Sequence, residues 1–450
     1  MKKIVVLLAL VTALASHSAL LSAADAAAAA AKRPNFIVIL ADDLGYGDIG
    51  SYGATLIKTP NIDKLAAQGV QLNSFYASAN VCTASRGGLL TGRYPIRLNL
   101  VADVARPTND IGLASEELTI AEALGQEGYS TALVGKWHLG EEAHRNPTLH
   151  GFDEFFGLLH SNDMAPVELY EGTKKIEFPV DQTQLTKRYT ARAQQFITRN
   201  KDQPFFLYLS HAFPHVPLFA SAEFSGRSEA GLYGDVVEEL DWSTGEVMKT
   251  LADLDLDDNT LVIFTSDNGP WWEGSAGQYR DRKGSSWEGG LRVPFIARWP
   301  AQIAAGLVST EPAMNIDLLP TFAAAANATI ASDVILDGKD ILPMLKNTGK
   351  SPHEVLYLFD KDRIAGVRQG QWKLVVESKY QFLLNRFDHP SSYYGPVGLL
   401  FNLEKDPSET YSYSRENPAV VERLRQHLMA GQKALASKQL PGMWGLQNAP

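Results

Sequence analysis

The stretch NFIVILADDLGYGD, residues 35–48, decides how this 450-residue chain folds. It starts as a short, almost continuous apolar run and turns polar at Asp42 and Asp43. Such a run is typical of a parallel strand that is covered on both faces. In open α/β sheets, ligands bind at the carboxyl ends of the strands. The stretch therefore predicts a buried strand that brings two carboxylates to a site.

Later apolar runs repeat this pattern, and segments with helical signals lie between them. Thr119 and Glu122 stand at capping-box spacing before one helix, and apolar residues at helical spacing predict a longer helix over about 234–254. This alternation predicts an α/β domain with a large, mainly parallel sheet flanked by helices. The predicted strands are STALVGK (130–136), PFFLYLS (204–210), TLVIFTSDNG (260–269) and PFIARWP (294–300).

The pattern changes after about residue 345. Short strands separated by turns are predicted within 354–360, 364–378 and 398–409, and a helix is predicted within 417–435. They indicate a C-terminal subdomain, 346–450, in which a smaller antiparallel sheet packs against a helix. The polar clusters described below precede it, so we expect the catalytic domain to span 33–345.

The N-terminus has the pattern of a secretory signal peptide over residues 1–24. Lys2 and Lys3 precede an apolar run over 4–15, and small residues lead to an expected cleavage near Ala24. The apolar run is shorter than the roughly 20 residues of a membrane span. An uncleaved anchor is the alternative interpretation. We expect a protein that is periplasmic or secreted, with no membrane association after cleavage.

The formal net charge is −10. An acidic protein is a poor candidate for binding nucleic acid or an anionic membrane, since both rely on basic surfaces. An anionic substrate would need specific basic residues at its binding site.

Cys82 is the only cysteine of the chain. An exported protein with one cysteine has no intramolecular disulfide to make, and taken alone such a residue is most often a buried apolar side chain. Its surroundings, CTASRGGLLTGR (82–93), resemble the start of a helix, where free N–H groups favour an anion. Arg86 follows one helical turn later. Gly87 and Gly88 cost helix stability, which points to a functional constraint.

Polar residues follow two of the predicted strands at the point where each strand ends. Asp42 and Asp43 follow the first, and Asp267 and Asn268 follow another. Each pair alone is equally typical of a turn. Together they form a set of hard oxygen donors that suits calcium or magnesium better than zinc.

The segment GKWHLG (135–140) places a lysine and a histidine two residues apart at the end of a predicted strand. Residues two apart in an extended chain face the same side, so Lys136 and His138 are expected to point into one cleft. Taken alone, they could be a surface lysine and a core histidine.

At this point several motifs, in order along the chain, resemble those of type I sulfatases of the arylsulfatase A-like group, in the alkaline-phosphatase-like superfamily. The core of residues 82–86, Cys-x-Ala-x-Arg, is similar to the signature that directs oxidation of the cysteine to formylglycine. Ala84 replaces the commoner proline, which leaves open whether a formylglycine-generating or an anaerobic sulfatase-maturating enzyme acts on the chain. The other resembling motifs are PNFIVILADDLGYGDIGSYG (34–53), TPNIDKLAAQGV (59–70), GKWHLG, HGFDEFFG (150–157), TSDNG (265–269) and KGSSWEGGLRVPFIARWP (283–300).

The resemblance implies a role for each matching residue. Cys82, as the formylglycine hydrate, would be the nucleophile and a ligand of one divalent metal, usually calcium, together with Asp42, Asp43, Asp267 and Asn268. Arg86 would hold the hydrate, and His138 would orient it. Lys136 and Lys283 would bind sulfate oxygens, and Ser161 would also contact the sulfate. His215 would lie beside the leaving-group oxygen.

Substrate recognition is less specified by the sequence. Trp271 could stack on a sugar or an aryl group, or equally cover the core. His211 could bind substrate hydroxyl groups. It is also the alternative to His215 for contact with the leaving-group oxygen, but the proline two residues after His215 fits the family pattern better. The expected activity is hydrolysis of a sulfate monoester on a sulfated carbohydrate or an aryl sulfate. The alternatives are a phosphonate or phosphate monoester hydrolase of the same superfamily and a catalytically silent glycan-binding relative.

Overall fold

The computed structural model describes residues 33–101, 103–376 and 398–435, so the predicted signal peptide lies outside the described residues. Within these ranges, none of the helices combines the length and the apolar character needed to cross a bilayer.

The strands of the described residues form three sheets. They are β1 (Asn35–Ala41), β2 (Val70–Leu72), β3 (Phe75–Tyr76), β4 (Ser130–Lys136), β5 (Glu154–Leu158), β6 (Leu169–Glu171), β7 (Lys174–Glu177), β8 (Phe205–Ser210), β9 (Thr260–Ser266), β10 (Phe295–Arg298), β11 (Leu307–Ser309), β12 (Ala313–Met314), β13 (Leu356–Asp360), β14 (Arg363–Gln369), β15 (Trp372–Val375) and β16 (Leu399–Asn402).

Helices of very different length connect these strands. In the described ranges they are α1 (Pro60–Ala67), α2 (Cys82–Thr91), α3 (Ile120–Gln126), α4 (Leu185–Arg199), α5 (Gly231–Asp253), α6 (Glu288–Leu291), α7 (Leu318–Ala326), α8 (Leu342–Leu345) and α9 (Pro418–Leu435). The predicted capping box of Thr119 and Glu122 is present at the start of α3. The predicted long helix is α5, which begins three residues earlier than expected.

The large sheet has the strand order β11-β2-β10-β9-β1-β8-β4-β5-β6-β7. Strand β1 lies between β9 and β8 and is parallel to both, and β4 and β5 continue the parallel run. The predicted α/β architecture with a large, mainly parallel centre is therefore confirmed.

One strand of the large sheet runs against the prediction. The run at 294–300 was expected to be parallel, but β10 pairs antiparallel with both β9 and β2. A continuous apolar run indicates burial on both faces and carries no information about direction. Here the connection that follows β9 stays at the end of the sheet where β9 finishes. Strand β10 therefore starts at that end and runs antiparallel to β9.

Helices cover both faces of this sheet. Alternate residues of β1 point to opposite faces and therefore pack in two different cores. Phe36 and Val38 pack in the core that contains Phe322 of α7. Ile37 packs in the opposite core, which contains Leu240 of α5. Strand β1 is thus buried on both sides, as the uninterrupted apolar run predicts.

The C-terminal part forms the expected smaller sheet. Strands β13 to β16 are antiparallel in sequence order. Leu424 and Leu428 of α9 are buried with Leu358 and Val367 of this sheet. The predicted antiparallel sheet with a packed helix is confirmed.

Candidate active site

The site lies at the carboxyl ends of the central parallel strands. Strands β1 and β9 end in register, with Ala41 opposite Ser266, so the polar residues after each strand are neighbours. The start of α2 and the end of β4 reach the same edge. The residues brought together there, all buried, are Asp42, Asp43, Cys82, Arg86, Lys136, Asp267 and Asn268.

The acidic residues form a compact set of donors. Ligand atoms of Asp42, Asp43, Asp267 and Cys82 all lie within 4.8 Å of one another. The backbone N–H of Asp43 donates to Oδ1 of Asp267 at 3.1 Å, and Nδ2 of Asn268 donates to Oδ1 of Asp43 at 2.7 Å. These contacts hold the side chains in one cluster.

Two oxygens of this cluster fit a bound cation. Oδ1 of Asp42 and Oδ1 of Asn268 are buried and accept no hydrogen bond from the described residues, with Nη2 of Arg86 3.3 Å from the former. Buried polar atoms are rarely left unsatisfied. Carboxylate and amide oxygens are the donors that calcium and magnesium take, so the residues present fit such a metal.

Cations surround the carboxylates. Nζ of Lys136 contacts Asp42 and donates to Oγ of Ser161 at 2.9 Å. Nζ of Lys283 lies 2.8 Å from Oδ2 of Asp43 and 3.2 Å from Sγ of Cys82. Two ammonium groups thus face the donor cluster, where they can bind the oxygens of an anion.

Burial and these charges shift the ionisation of the cluster. Burial opposes ionisation of Asp42, but Lys136 and Arg86 outweigh it and hold the pKa of Asp42 well below its usual range. Burial and the nearby Asp42 raise the pKa of Asp267 to about 7. Burial raises the pKa of the Cys82 thiol well above its usual value, against the effect of Lys283. An unmodified thiol here is a poor nucleophile.

Arg86 lies behind the carboxylates. Its Nε donates to Asp267 at 2.9 Å, and its Nη1 donates to the carbonyl of Lys136 at 3.0 Å and to Oγ of Ser210 at 2.7 Å. These bonds tie together the ends of β9, β4 and β8. In this arrangement the guanidinium fixes the acidic cluster, and the hold on the hydrate that the family resemblance implies for Arg86 stays a prediction.

His138 reaches the site through a turn. Its φ of 60° shows that the chain is not extended between Lys136 and His138, so the alternation argument fails although both residues face the site. The carbonyl of Ala105 lies 3.0 Å from Nε2, and a carbonyl can only accept, so Nε2 carries the proton. Nδ1 is buried without a hydrogen-bond partner among the described residues. Burial, with Lys136 and Arg86, lowers the pKa of His138, which keeps the ring neutral with a free lone pair on Nδ1 and makes that nitrogen a weaker base than in solution.

A cleft of about 350 Å³ opens onto Cys82. Sequence reasoning named several of the residues that line it, but it missed Asp103, Val104 and Arg106, which belong to a stretch without any periodic pattern. The predicted residues in the lining are Cys82, His138, Ser161, His215, Trp271 and Lys283.

The structure separates the two competing histidines. His215 lines the cleft, and its Nε2 lies 3.6 Å from Oδ2 of Asp43. His211 is buried elsewhere, with Nε2 3.3 Å from Oγ of Ser243, and is not among the residues that line the cleft. Burial lowers the pKa of His211 to about 3. Its placement does not support the expected contact with substrate.

Comparisons with known proteins agree with these features. Residues 34–328 match the family model described as sulfatase, and residues 278–434 match that of the C-terminal part of N-sulphoglucosamine sulphohydrolase. The second match starts before Lys283, so the loop that carries this lysine and the C-terminal sheet fall within one matched segment.

Individual relatives are similar over most of their length. Human arylsulfatase A is 37% identical, with 90% of this chain and 89% of the relative covered. Human steryl-sulfatase is 36% identical, with 86% and 85% covered. A solved structure from Bacteroides thetaiotaomicron, described under the metabolism of multiple glycosaminoglycans, is 30% identical with a TM-score of 0.80 and covers 89% of this chain and 100% of its own.

Proposed function

The chain belongs to the sulfatase family and hydrolyses sulfate esters, and from this premise we propose that it acts through a formylglycine made from Cys82, with one calcium ion, on sulfated carbohydrates outside the cytoplasm. The observation that carries the proposal is the position of Cys82. Its Sγ lies 3.8 Å from Oδ1 of Asp43 and 3.2 Å from Nζ of Lys283, at the start of α2. A nucleophile formed there would meet both the metal ligands and a cation that binds sulfate.

Asp42, Asp43, Asp267, Asn268 and the modified Cys82 would hold the calcium ion, which would supply neutralisation of the charge that develops on sulfate. The hydrated aldehyde would supply a hydroxyl that attacks sulfur, giving up its proton with help from Asp267 while the bond between sulfur and the alcohol oxygen breaks. Deprotonation of the second hydroxyl would then re-form the aldehyde and expel sulfate, which a serine could not do.

The remaining steps belong to side chains of the chain itself. Lys136 and Lys283 bind sulfate oxygens and stabilise the charge of the transition state. Nδ1 of His138, without a hydrogen-bond partner among the described residues, accepts the proton whose loss releases sulfate. His215, or Lys283 as the alternative, donates a proton to the departing alcohol. Arg86 keeps Asp42 and Asp267 in place.

Maturation and export are part of the proposal. Cys82 and Ala84 are buried in the folded chain, so a formylglycine-generating or anaerobic sulfatase-maturating enzyme would modify the chain before it folds. The predicted signal peptide over 1–24 would then place the protein in the periplasm or outside the cell.

Several features of the cleft support a carbohydrate substrate. Trp271 is among its lining residues, and an indole ring can stack on a sugar. A second cavity of about 220 Å³ shares Val81, Asp103 and Val104 with the cleft, which gives room for more than the sulfated ring. Lys361, at the turn between β13 and β14, lines this second cavity together with Asp103 and Asp360, so the cavity offers both signs of charge to a polar sugar. A sulfated oligosaccharide fits these features.

The test is a panel of substrates given to protein made together with a maturation enzyme. The panel contains an aryl sulfate, sulfated monosaccharides and oligosaccharides, and matched phosphate and phosphonate monoesters, and Cys82→Ala is the control. We expect sulfate release from the aryl sulfate and from at least one sulfated sugar, with none from Cys82→Ala. Faster cleavage of the phosphorus esters, or release of sulfate by the variant at the wild-type rate, would overturn the proposal.

A further inference from the structure

The loop that carries Lys283 is held from the C-terminal sheet. Lys373, on β15, is completely buried. Its Nζ donates to the backbone carbonyl of Ser286 at 3.1 Å and lies 2.9 Å from Oε1 of Glu288 and 2.8 Å from Oε1 of Glu409. One ammonium group therefore binds the loop just after Lys283, the first turn of α6 and the segment after β16.

Glu409 also binds the loop on the N-terminal side of Lys283, through Arg280. Its Oε2 accepts the backbone N–H of Glu288 at 2.7 Å, and its carbonyl accepts Nη1 of Arg280 at 3.0 Å. The guanidinium of Arg280 lies 3.9 Å from the ring centre of Trp287. The loop is thus fastened both three residues before and three residues after Lys283.

The loop also touches the segment that leads to the nucleophile. The backbone N–H of Gly284 donates to the carbonyl of Asn80 at 2.9 Å, and that of Lys283 donates to the carbonyl of Pro270 at 3.0 Å. Asn80 stands two residues before Cys82. A shift of the loop would therefore move the ammonium of Lys283 relative to Cys82.

The anchor is a cluster of buried charges, in which burial and the nearby Glu288 raise the pKa of Glu409 to about 7. Glu288 also contacts Arg292 at 3.0 Å and accepts the hydroxyl of Tyr76 at 2.6 Å. Burial opposes ionisation of Glu288, but Lys373, Arg292 and Arg368 outweigh it and lower its pKa to about 2. Removal of one partner from such a set leaves an uncompensated buried charge, so the loop would have to rearrange.

We propose that Lys373 is a positioning residue, which acts through Ser286, Glu288 and Glu409 to hold Lys283 beside Cys82. Lys373 is not among the residues that line the cleft, so it does not touch substrate. It would affect catalysis only by fixing the loop that positions Lys283. The inference rests on the proposed sulfate-binding role of Lys283.

A double-mutant cycle with an aryl sulfate tests the inference. Lys373→Met, Lys283→Ala and the double variant are compared with wild type at a temperature well below every melting point. Because misplacement of a catalytic group is costly, we expect Lys373→Met to lower kcat/KM by about 10- to 100-fold. In the Lys283→Ala background the same change should cost less than about 3-fold, because residues that act through one another are not additive. An equal loss in both backgrounds would overturn the inference.

A matched control separates positioning from general destabilisation. Leu428→Ala removes a buried apolar side chain of α9 and none of the ionic contacts of Lys373, and it should lower the melting temperature with little effect on kcat/KM. If Lys373→Met fails to fold, Glu409→Gln and Lys373→Arg take its place. Glu409→Gln keeps an acceptor for Glu288 and should show the same pattern more weakly, whereas Lys373→Arg keeps the charge and should retain more activity than Lys373→Met. A loss by Leu428→Ala that equals that of the anchor variants would also contradict the inference. Absence of sulfate release by wild type would instead contradict the proposed function.

Discussion

Nζ of Lys283 lies 3.2 Å from Sγ of Cys82, so a lysine from a distant loop lies next to the start of α2. The same nitrogen is 2.8 Å from Asp43. This places a cation beside the proposed nucleophile and one proposed metal ligand, where an oxygen of the transferred sulfate would carry negative charge.

Lys283→Ala should therefore lower kcat by about 10²- to 10³-fold, the usual cost of losing one group that stabilises transition-state charge. Steady-state kinetics with an aryl sulfate measure it. Lys350→Ala serves as the control, because Lys350 is exposed and does not line the cleft, and this variant should behave as wild type. Activity of Lys283→Ala within about 3-fold of wild type would show that the lysine does not bind the reacting group.

Removal of divalent metal should inactivate the protein, and calcium should restore it. The reason is that the buried acceptors of Asp42 and Asn268 fit a hard cation. Binding to the folded state alone should also raise the melting temperature, and Asn268→Ala should require more calcium for the same rise. Full activity after exhaustive chelation, with no shift in melting temperature on adding calcium, would rule out a metal at this site.

His215→Asn should discriminate between leaving groups. A general acid contributes about 10²- to 10⁴-fold, and that contribution matters most when the departing alcohol is a poor leaving group. We expect a larger loss on a sulfated sugar than on an aryl sulfate, with exposed His144 changed to Asn as the control. Equal losses on the two substrates would assign His215 to binding and not to proton donation.

His211 should affect stability and its pH dependence instead. Burial holds its pKa near 3, below the ordinary value of 6.5, so the folded state keeps the ring neutral. The unfolded chain takes up a proton below about 6.5, so this part of the stability is complete above that pH and is lost as the pH falls. Between pH 7 and pH 5 the loss amounts to about 2 kcal/mol.

The comparison of wild type with His211→Gln isolates this contribution. From pH 7 to pH 5, the free energy of unfolding in urea should fall by about 2 kcal/mol more for wild type than for the variant. A difference that stays constant over this range would mean that His211 titrates normally in the folded state.

The sequence predicts the parts of this molecule that depend on local patterns. Asp42, Asp43, Asp267 and Asn268 follow buried strands directly, and parallel strands in register bring their ends together, so the acidic cluster is readable from strand positions alone. The helix start at Cys82 is likewise a local signal.

Features that depend on packing between distant segments are not readable in this way. The direction of β10 depends on the path of its connection. His211 and His215 are both buried, and which of them lines the cleft depends on how the segments around the sheet pack. Lys373 and Glu409 stand in a C-terminal stretch without any catalytic pattern, and only the fold brings them to the loop of Lys283. Asp103 and Arg106 line the cleft from a stretch with no periodic signal.

The most direct test of the central claim is to measure specific activity against the fraction of Cys82 that has been converted to formylglycine. Protein is prepared with increasing amounts of maturation enzyme, the peptide containing Cys82 is analysed by mass spectrometry, and sulfate release is measured on the same samples. We predict that activity rises in proportion to the converted fraction and vanishes when Cys82 is entirely a thiol. Undiminished sulfate release by protein that contains only the thiol would contradict the account.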